Sequence, residues 1–473
     1  MNWDKLKFQR VFSKSMYKNL KLPLAEMTFT KDFVNDKRGD LYPIIEKDNA
    51  CIERIENNRY YVQNGTVERM FTGFFPYATY EVAFSDLSGG CGFVFHLAGQ
   101  KAQLLCNENS LLFFDGTREQ KTMLSEPLAC RTLVVSCRPG AFDVYLVNNH
   151  KPDYLCIFGS DVFVHSNEEK LFRKGVVSLL ASGAVTVNTV CSYMDCGISQ
   201  ADIRPIRYEN GEVMVENGKI FLTLSVRMHR GEFQGVVSWV PSTSNIELVG
   251  SVFYDSGDGK WCGDVAASIL FNRKTNEWYL WVCSFAHQHI LGHAAFKGDP
   301  RFGVNVVDIR LMDKTKQDTD MTEFLGFQGD EDPDFYYNEQ EKMWYMAICR
   351  ISPITKKYSY MFFKSENPFS DYKYIGQGYE GAETGGSFVN IGNEMVFVCG
   401  NDFEKRANYR IYTKSSMHEA KFNFDDGGFR GWGTIVPVVM GSRKRYFWLT
   451  FDRHNGSSYN WSYGNIYCFE AEI

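Results

Sequence analysis

Asp264-Val-Ala-Ala-Ser268-Ile, Asp330-Glu-Asp-Pro-Asp334-Phe and Glu383-Thr-Gly-Gly-Ser387-Phe are three versions of one phrase. Each begins with a carboxylate and runs into a short strand. A polar hairpin then leads to an aromatic strand: Trp278-Tyr-Leu-Trp-Val-Cys283, Trp344-Tyr-Met-Ala-Ile-Cys349 and Val396-Phe-Val-Cys399. Looser copies flank them, with Asp202-Ile-Arg-Pro before Lys219-Ile-Phe-Leu-Thr-Leu, and Gly431-Trp-Gly-Thr before Tyr446-Phe-Trp-Leu-Thr. Five copies at roughly 50–65 residues fall at or above the spacing of β-propeller blades, whose sheets cannot bury their faces alone. Residues 196–473 are therefore expected to form a five-bladed β-propeller.

Residues 1–195 lack the phrase. Short alternating runs such as Tyr80-Glu-Val-Ala-Phe, Gly92-Phe-Val-Phe-His-Leu and Phe142-Asp-Val-Tyr-Leu-Val are separated by Asn64-Gly65, Ser88-Gly-Gly90 and Asp115-Gly116. Alternation with period two and Gly or Asn punctuation predicts an antiparallel β-sandwich. Its strand order resembles the concanavalin-like accessory domains found beside glycan-active propellers. Helical periodicity is weak throughout, with one short helix expected between Asn167 and Arg173. The fold class expected is all-β, a sandwich followed by a propeller.

Composition narrows the partners. With a net charge of −6 and a pI near 5.9, the chain has no basic footprint for nucleic acid. No run of about 18 apolar residues is present, so no membrane partner is expected. Met1-Asn-Trp-Asp-Lys-Leu-Lys has no apolar core of the signal-peptide kind, and the 13 Cys lack metal-type pairs. A reducing, cytoplasmic setting is expected, with Cys283, Cys349 and Cys399 read as small buried hydrophobes. Oligomeric state is left open.

In a propeller, the start of strand one and the end of strand two lie on the same face. Strand one opens with Asp202, Asp264, the Asp330–Asp334 cluster, Glu383 and Gly431, and strand two closes with Arg227, His287, Arg350, Asp402 and Arg453-His454. One channel mouth is thus expected to gather carboxylates with Arg and His. Paired carboxyl groups at a small pocket are the apparatus for glycosidic cleavage, one donating a proton and one activating water or attacking.

At these residues the chain resembles glycoside hydrolase family 43. Ala201-Asp202 resembles that family's blade-one base motif, and Asp332-Pro333-Asp334-Phe335 its third-blade motif, whose Asp tunes the acid. Glu383-Thr-Gly-Gly-Ser-Phe resembles the fourth-blade acid motif, although the family usually has Glu-Gly-Pro. Gly431-Trp432-Gly433-Thr434 stands where the family often has Gly-His-Gly-Ser, so the His that helps hold a central ion is missing. The resemblance implies an inverting hydrolase acting on a terminal furanose or acidic sugar of an oligosaccharide, with Asp202 as base, Glu383 as acid and Asp332 tuning it. The departure at Trp432 puts a bound calcium in doubt, and no cofactor or metal is expected. Families 32 and 68, acting on fructosides, offer an alternative in which Asp202 is a nucleophile and Glu331 the acid. Family 143 is a further candidate for an Arg-rich pocket. A non-catalytic glycan-binding propeller is the rival from another class.

The substrate-binding residues expected are Arg204, Arg227, Asp264, His287, Arg350, Trp432 and Arg453. Trp261, Trp432 and Trp461 are the aromatics expected at the mouth. In an extended strand, His287 and His289 would share a face; a direct sugar contact is preferred over a metal pair. If two of Arg227, Arg350 and Arg453 face the pocket unpaired, the sugar is expected to be anionic.

Overall fold

The computed structural model describes residues 7–30, 32–35, 42–125, 130–148, 150–229, 231–313, 328–379, 381, 383–392, 394–401, 408–421, 432–452 and 464–472. It is all-β and divides into two units. One holds residues 1–20, 196–258 and 262–473, the other residues 21–195 and 259–261.

The larger unit is a five-bladed propeller. Blade one runs from Ser199–Pro205 inside, through Lys219–Met228 and Gly231–Trp239, to Ile246–Asp255, with Gly303–Asp308 added in parallel. Blade two follows with Val265–Asn272, Glu277–Ser284, Ile290–Phe296 and the two-residue Arg310–Leu311. Blade three comprises Gln328–Asn338, Met343–Ile351, Tyr358–Ser365 and Lys373–Gln377, and blade four Glu383–Ile391, Glu394–Asn401, Asn408–Tyr412 and Met417–Lys421. Blade five consists of Gly433–Met440, Arg443–Phe451 and Ile466–Glu472, completed by Gln9–Lys14 from the other end of the chain. Sequence alone put residues 1–20 with the sandwich. They group instead with the blades, because Gln9–Lys14 pairs antiparallel with Ile466–Glu472 and closes the ring.

Apolar side chains on facing blades make the cores. Phe221, Val236 and Val252 of blade one meet Ile269, Trp278 and Leu280 of blade two. Tyr336 and Ala347 of blade three meet Phe388 and Phe397 of blade four, and Val389 and Val398 meet Ile435 and Trp448 of blade five. The strand-two aromatics are thus interblade core, as their repeat position implies. The cysteine repeat is less regular than it reads. Cys283 and Cys349 both oppose the residue before a bulge, whereas Cys399 is displaced by one residue, because Thr384 pairs with Gly400.

In the smaller unit, the twenty-residue strand Val176–Asp195 pairs along one edge with Arg59–Gly73. Along its other edge it pairs first with Gly90–Leu97 and then with Thr79–Ser85. The change of partner falls at Gly183, whose φ of 75° lets the strand turn from one layer to the other. The result is a nearly closed sandwich packed with Phe93, Phe95, Phe113, Phe142 and Phe158. The short helix is Glu169–Phe172.

Candidate active site

In blades one to four, the inner strand is broken at the same place. Pairing with strand two slips between Ala201 and Arg204, Val265 and Ser268, Glu331 and Asp334, and Thr384 and Ser387. Each slip holds a residue at positive φ: Asp202 (62°), Ala266 (57°), Asp332 (51°) and Gly385 (61°). Such bulges re-aim side chains and carbonyls, and here they turn them toward the axis. Only glycine takes this backbone freely, so holding Asp202 and Asp332 there costs about 1–3 kcal/mol each. A second ring lies two residues earlier, at Gln200, Asp264, Asp330 and Glu383. Asp202 is therefore the counterpart of Asp332 and Gly385, not of Glu383, a distinction that only the pairing register reveals.

The carbonyls turned inward meet one side chain. Arg204 donates Nε–H to Gly386 O at 3.1 Å, one Nη1–H to Ala266 O at 2.8 Å and the other to Pro333 O. Nη2 reaches Asp332 O at 2.9 Å and Gly386 O at 2.8 Å. The guanidinium lies 4.5 Å from the centre of the Trp432 ring, and the Trp432 indole N–H donates to Ile203 O. Arg204 thus joins blades one to five, and all five of its N–H groups are spent on carbonyls or their sharing, leaving none for a ligand. Arg204 and Trp432 were expected to bind substrate; both are buried and plug the axis. Arg207 forms the next layer, bonding Phe388 O at 2.7 Å and Asp334 Oδ1 at 2.5 Å.

Asp202 and Asp332 lie beside this plug. They belong to non-adjacent blades, yet Asp332 is near enough to act on Asp202 electrostatically. Burial, opposed by Arg227 and reinforced by Asp332, pushes the Asp202 carboxyl up to about 6. Arg227 Nη2 stands 3.5 Å from Asp202 Oδ2, and Nη1 stands 3.4 Å from Glu232 Oε2. Asp332 Oδ2 accepts from Thr384 Oγ1 at 2.7 Å and Gly385 N at 3.0 Å.

Blade two contributes the turn after Glu277–Ser284. Phe285–His287 is a single 3₁₀ turn, and Gln288 and His289 follow at φ 57° and 61°. The strand alternation that would align His287 with His289 is therefore absent. His287 contacts Ser284 Oγ through Nδ1 at 2.8 Å and Ser256 Oγ through Nε2 at 3.2 Å. His289 Nδ1 pairs with Glu331 Oε1 at 2.8 Å, and its ring stacks on Phe285 at 4.5 Å. Asp264 is buried, accepts from Ala286 N at 3.4 Å, and is pushed up to about 6, chiefly by burial. His293 packs between Trp281 and Phe369, and burial lowers it to about 4. No cluster of metal-ligating side chains occurs among the described residues.

Other expected site residues are enclosed. Glu383 is 0% exposed; Tyr412 donates to its Oε1, Arg410 lies 3.7 Å away, and Tyr360 N reaches its Oε2 at 3.4 Å. A Cβ on Gly378 would fall 2.5 Å from Oε2, so the backbone there covers the carboxyl closely. Burial raises Glu383 to about 7 against the pull of Tyr412 and Arg410. Arg350 pairs with Asp330 at 2.7 Å, both fully buried, and so is scaffold rather than substrate contact. Trp261 groups with the smaller unit, packed on Phe75 and Phe172. Asp402, Gly431, Arg453, His454 and Trp461 lie outside the described residues. Sequence reading missed Glu232 and Phe285. The hairpin that pairs Arg227 with Glu232 was a readable signal for the first, and nothing local marks the second.

No protein-family model matches the sequence, and neither does any curated protein. Among solved structures, the chain is similar to a family 43 β-1,3-galactosidase in complex with galactodeoxynojirimycin, at 10% identity over 56% of this chain and 93% of that one, TM-score 0.39. It is similar to Bacillus subtilis levansucrase at 10% identity over 58% of this chain and 86% of that one, TM-score 0.40. It is also similar to a carbohydrate-binding module of family 66 from Bacillus subtilis, at 10% identity over 32% and 94%, TM-score 0.24.

Proposed function

We propose that the propeller is a glycoside hydrolase that removes a terminal neutral sugar, such as a furanose, from an oligosaccharide with inversion. Asp202 is the base that activates water, and Asp332 sits beside it to hold the water or a sugar hydroxyl. One observation carries this reading: two buried carboxylates from non-adjacent blades stand on left-handed backbone at the same bulge and act on each other electrostatically, and Asp202 pairs with Arg227. Packing alone gives no reason to hold like charges there, whereas a base whose pKa is raised by a neighbouring carboxylate does. Arg227 and Arg350 are both engaged by carboxylates, which favours a neutral sugar over an anionic one.

A base must be ionised, so kcat/KM should rise with pH through about 6, following Asp202. Asp202→Asn should lower hydrolysis of 4-nitrophenyl furanosides by about 10²–10⁴-fold. Activity in that variant close to wild type would remove Asp202 from the chemistry. The second reading, a glycan-binding propeller without turnover, is favoured by the enclosure of Glu383, the carboxyl expected to serve as acid. Calorimetric binding of an oligosaccharide with no product released by the wild type would establish it.

A further inference from the structure

We propose that His289, oriented by Glu331, is the proton donor of this site. The inference rests on the hydrolase reading above and supplies what that reading lacks, an acid within reach of solvent. Three contacts hold the residue, two of them on its ring. Nδ1 is held 2.8 Å from Glu331 Oε1, one face stacks on Phe285, and the backbone N–H donates to Ser284 O at 3.0 Å. The His289 carbonyl accepts from Asp330 N at 2.9 Å, tying the turn to blade three's inner strand beside Glu331 and Asp332. Left-handed backbone at both Gln288 and His289 is the strained presentation that marks a placed side chain.

With Nδ1 engaged, Nε2 is the nitrogen left to act, and no described residue partners it. The His289 side chain is 40% exposed, whereas Glu383 is sealed. The charged groups acting on His289 are Glu331 and Asp332 from blade three and Glu232 from blade one, all carboxylates that favour imidazolium. Phe285, under the His289 ring, also carries Arg227 at 5.5 Å, and Arg227 in turn stands 3.5 Å from Asp202 Oδ2, which links donor and base through two side chains.

The step balances. Asp202 takes a proton from water as the water oxygen bonds to the anomeric carbon. The bond from that carbon to the leaving oxygen breaks with its electron pair on the oxygen, which takes the Nε2 proton of His289. Neutral His289 keeps its Nδ1–H on Glu331, and Asp202 returns its proton through solvent.

The test uses the full chain with paired 2,4-dinitrophenyl and methyl arabino- and galactofuranosides. His289→Gln should cut turnover of the methyl glycosides by about 10²–10⁴-fold and leave the dinitrophenyl ones, which need no acid, within about threefold. Glu331→Gln keeps the imidazole but removes its carboxylate, so the alkaline limb of kcat/KM should move to lower pH while the acid limb set by Asp202 stays. Equal losses on both leaving groups, no loss on either, or an unmoved alkaline limb in Glu331→Gln overturns His289 alone. Absence of wild-type turnover on every glycoside overturns the hydrolase reading and this inference together. Should His289→Gln fail to fold, the Glu331→Gln profile decides.

Discussion

Blades three and four carry the same two positions and do different things with them. In blade three, the outer position is Asp330, locked to Arg350, and the bulge position is Asp332, turned to the axis. In blade four, the outer position is Glu383, enclosed by Tyr412 and Arg410, and the bulge position is Gly385, with no side chain to offer. Blade two is a third case: Asp264 has Ser284 and His287 near it instead of an Arg, and its bulge carries Ala266. In these blades the carboxylates of the outer ring take local partners on their own or the next strands, whereas Asp202 and Asp332 at the bulge act on each other across blades. A repeated position fixes where a side chain starts, and the neighbouring strands decide what it becomes.

Substitutions can break this contrast in graded steps, each followed by urea unfolding at neutral pH. Arg204→Met removes the donors shared by Ala266, Asp332, Pro333 and Gly386 carbonyls, at about 1–3 kcal/mol for each stranded group. That total approaches the whole stability of a typical domain, so loss of cooperative folding is expected. Wild-type-like stability would show that the blades do not depend on the plug. Arg350→Met leaves Asp330 as a buried lone charge and should cost about 3–5 kcal/mol. Gly385→Ala puts a Cβ 2.6 Å from the Trp432 Cα at a φ of 61° and should cost roughly 2 kcal/mol.

Asp264→Asn should do least near neutrality and most to the pH profile. The folded-state pKa of Asp264 lies above its ordinary value, at about 6, so its protonated form is the stabilising one. Its contribution is full below about pH 4 and fades as pH rises through about 6. The Asn substitution should remove that fade, and an unchanged stability-against-pH curve would contradict the assignment.

Much of the architecture was legible because a blade repeats its turn, its polar start and its aromatic second strand at a fixed spacing. The closing strand Gln9–Lys14 was not, since its partner lies at the far end of the chain and six residues carry no repeat. That Asp202 and Asp332 sit on the inner strands could be read from their place in the phrase. Glu383 was read as their equal because a bulge hides the two-residue offset between the rings, and its cover comes from Tyr412, two strands away. Arg204 and Trp432 looked like ligand contacts because composition cannot separate an arginine ringed by carbonyls from one facing a sugar. His289 was noticed beside His287, but its pairing with Glu331 depends on a left-handed turn that alternation cannot foresee.

The central claim is that Asp202 and Asp332 share one desolvated mouth. Titrating ¹³C-labelled aspartate carboxyls by NMR, with Asp202 assigned through its Asn variant, tests this most directly. The account predicts that Asp202 titrates near 6 in the wild type and moves down when Asp332→Asn removes the neighbouring charge. An Asp202 that titrates near the ordinary 3.8, or near 6 but unmoved by Asp332→Asn, would contradict it.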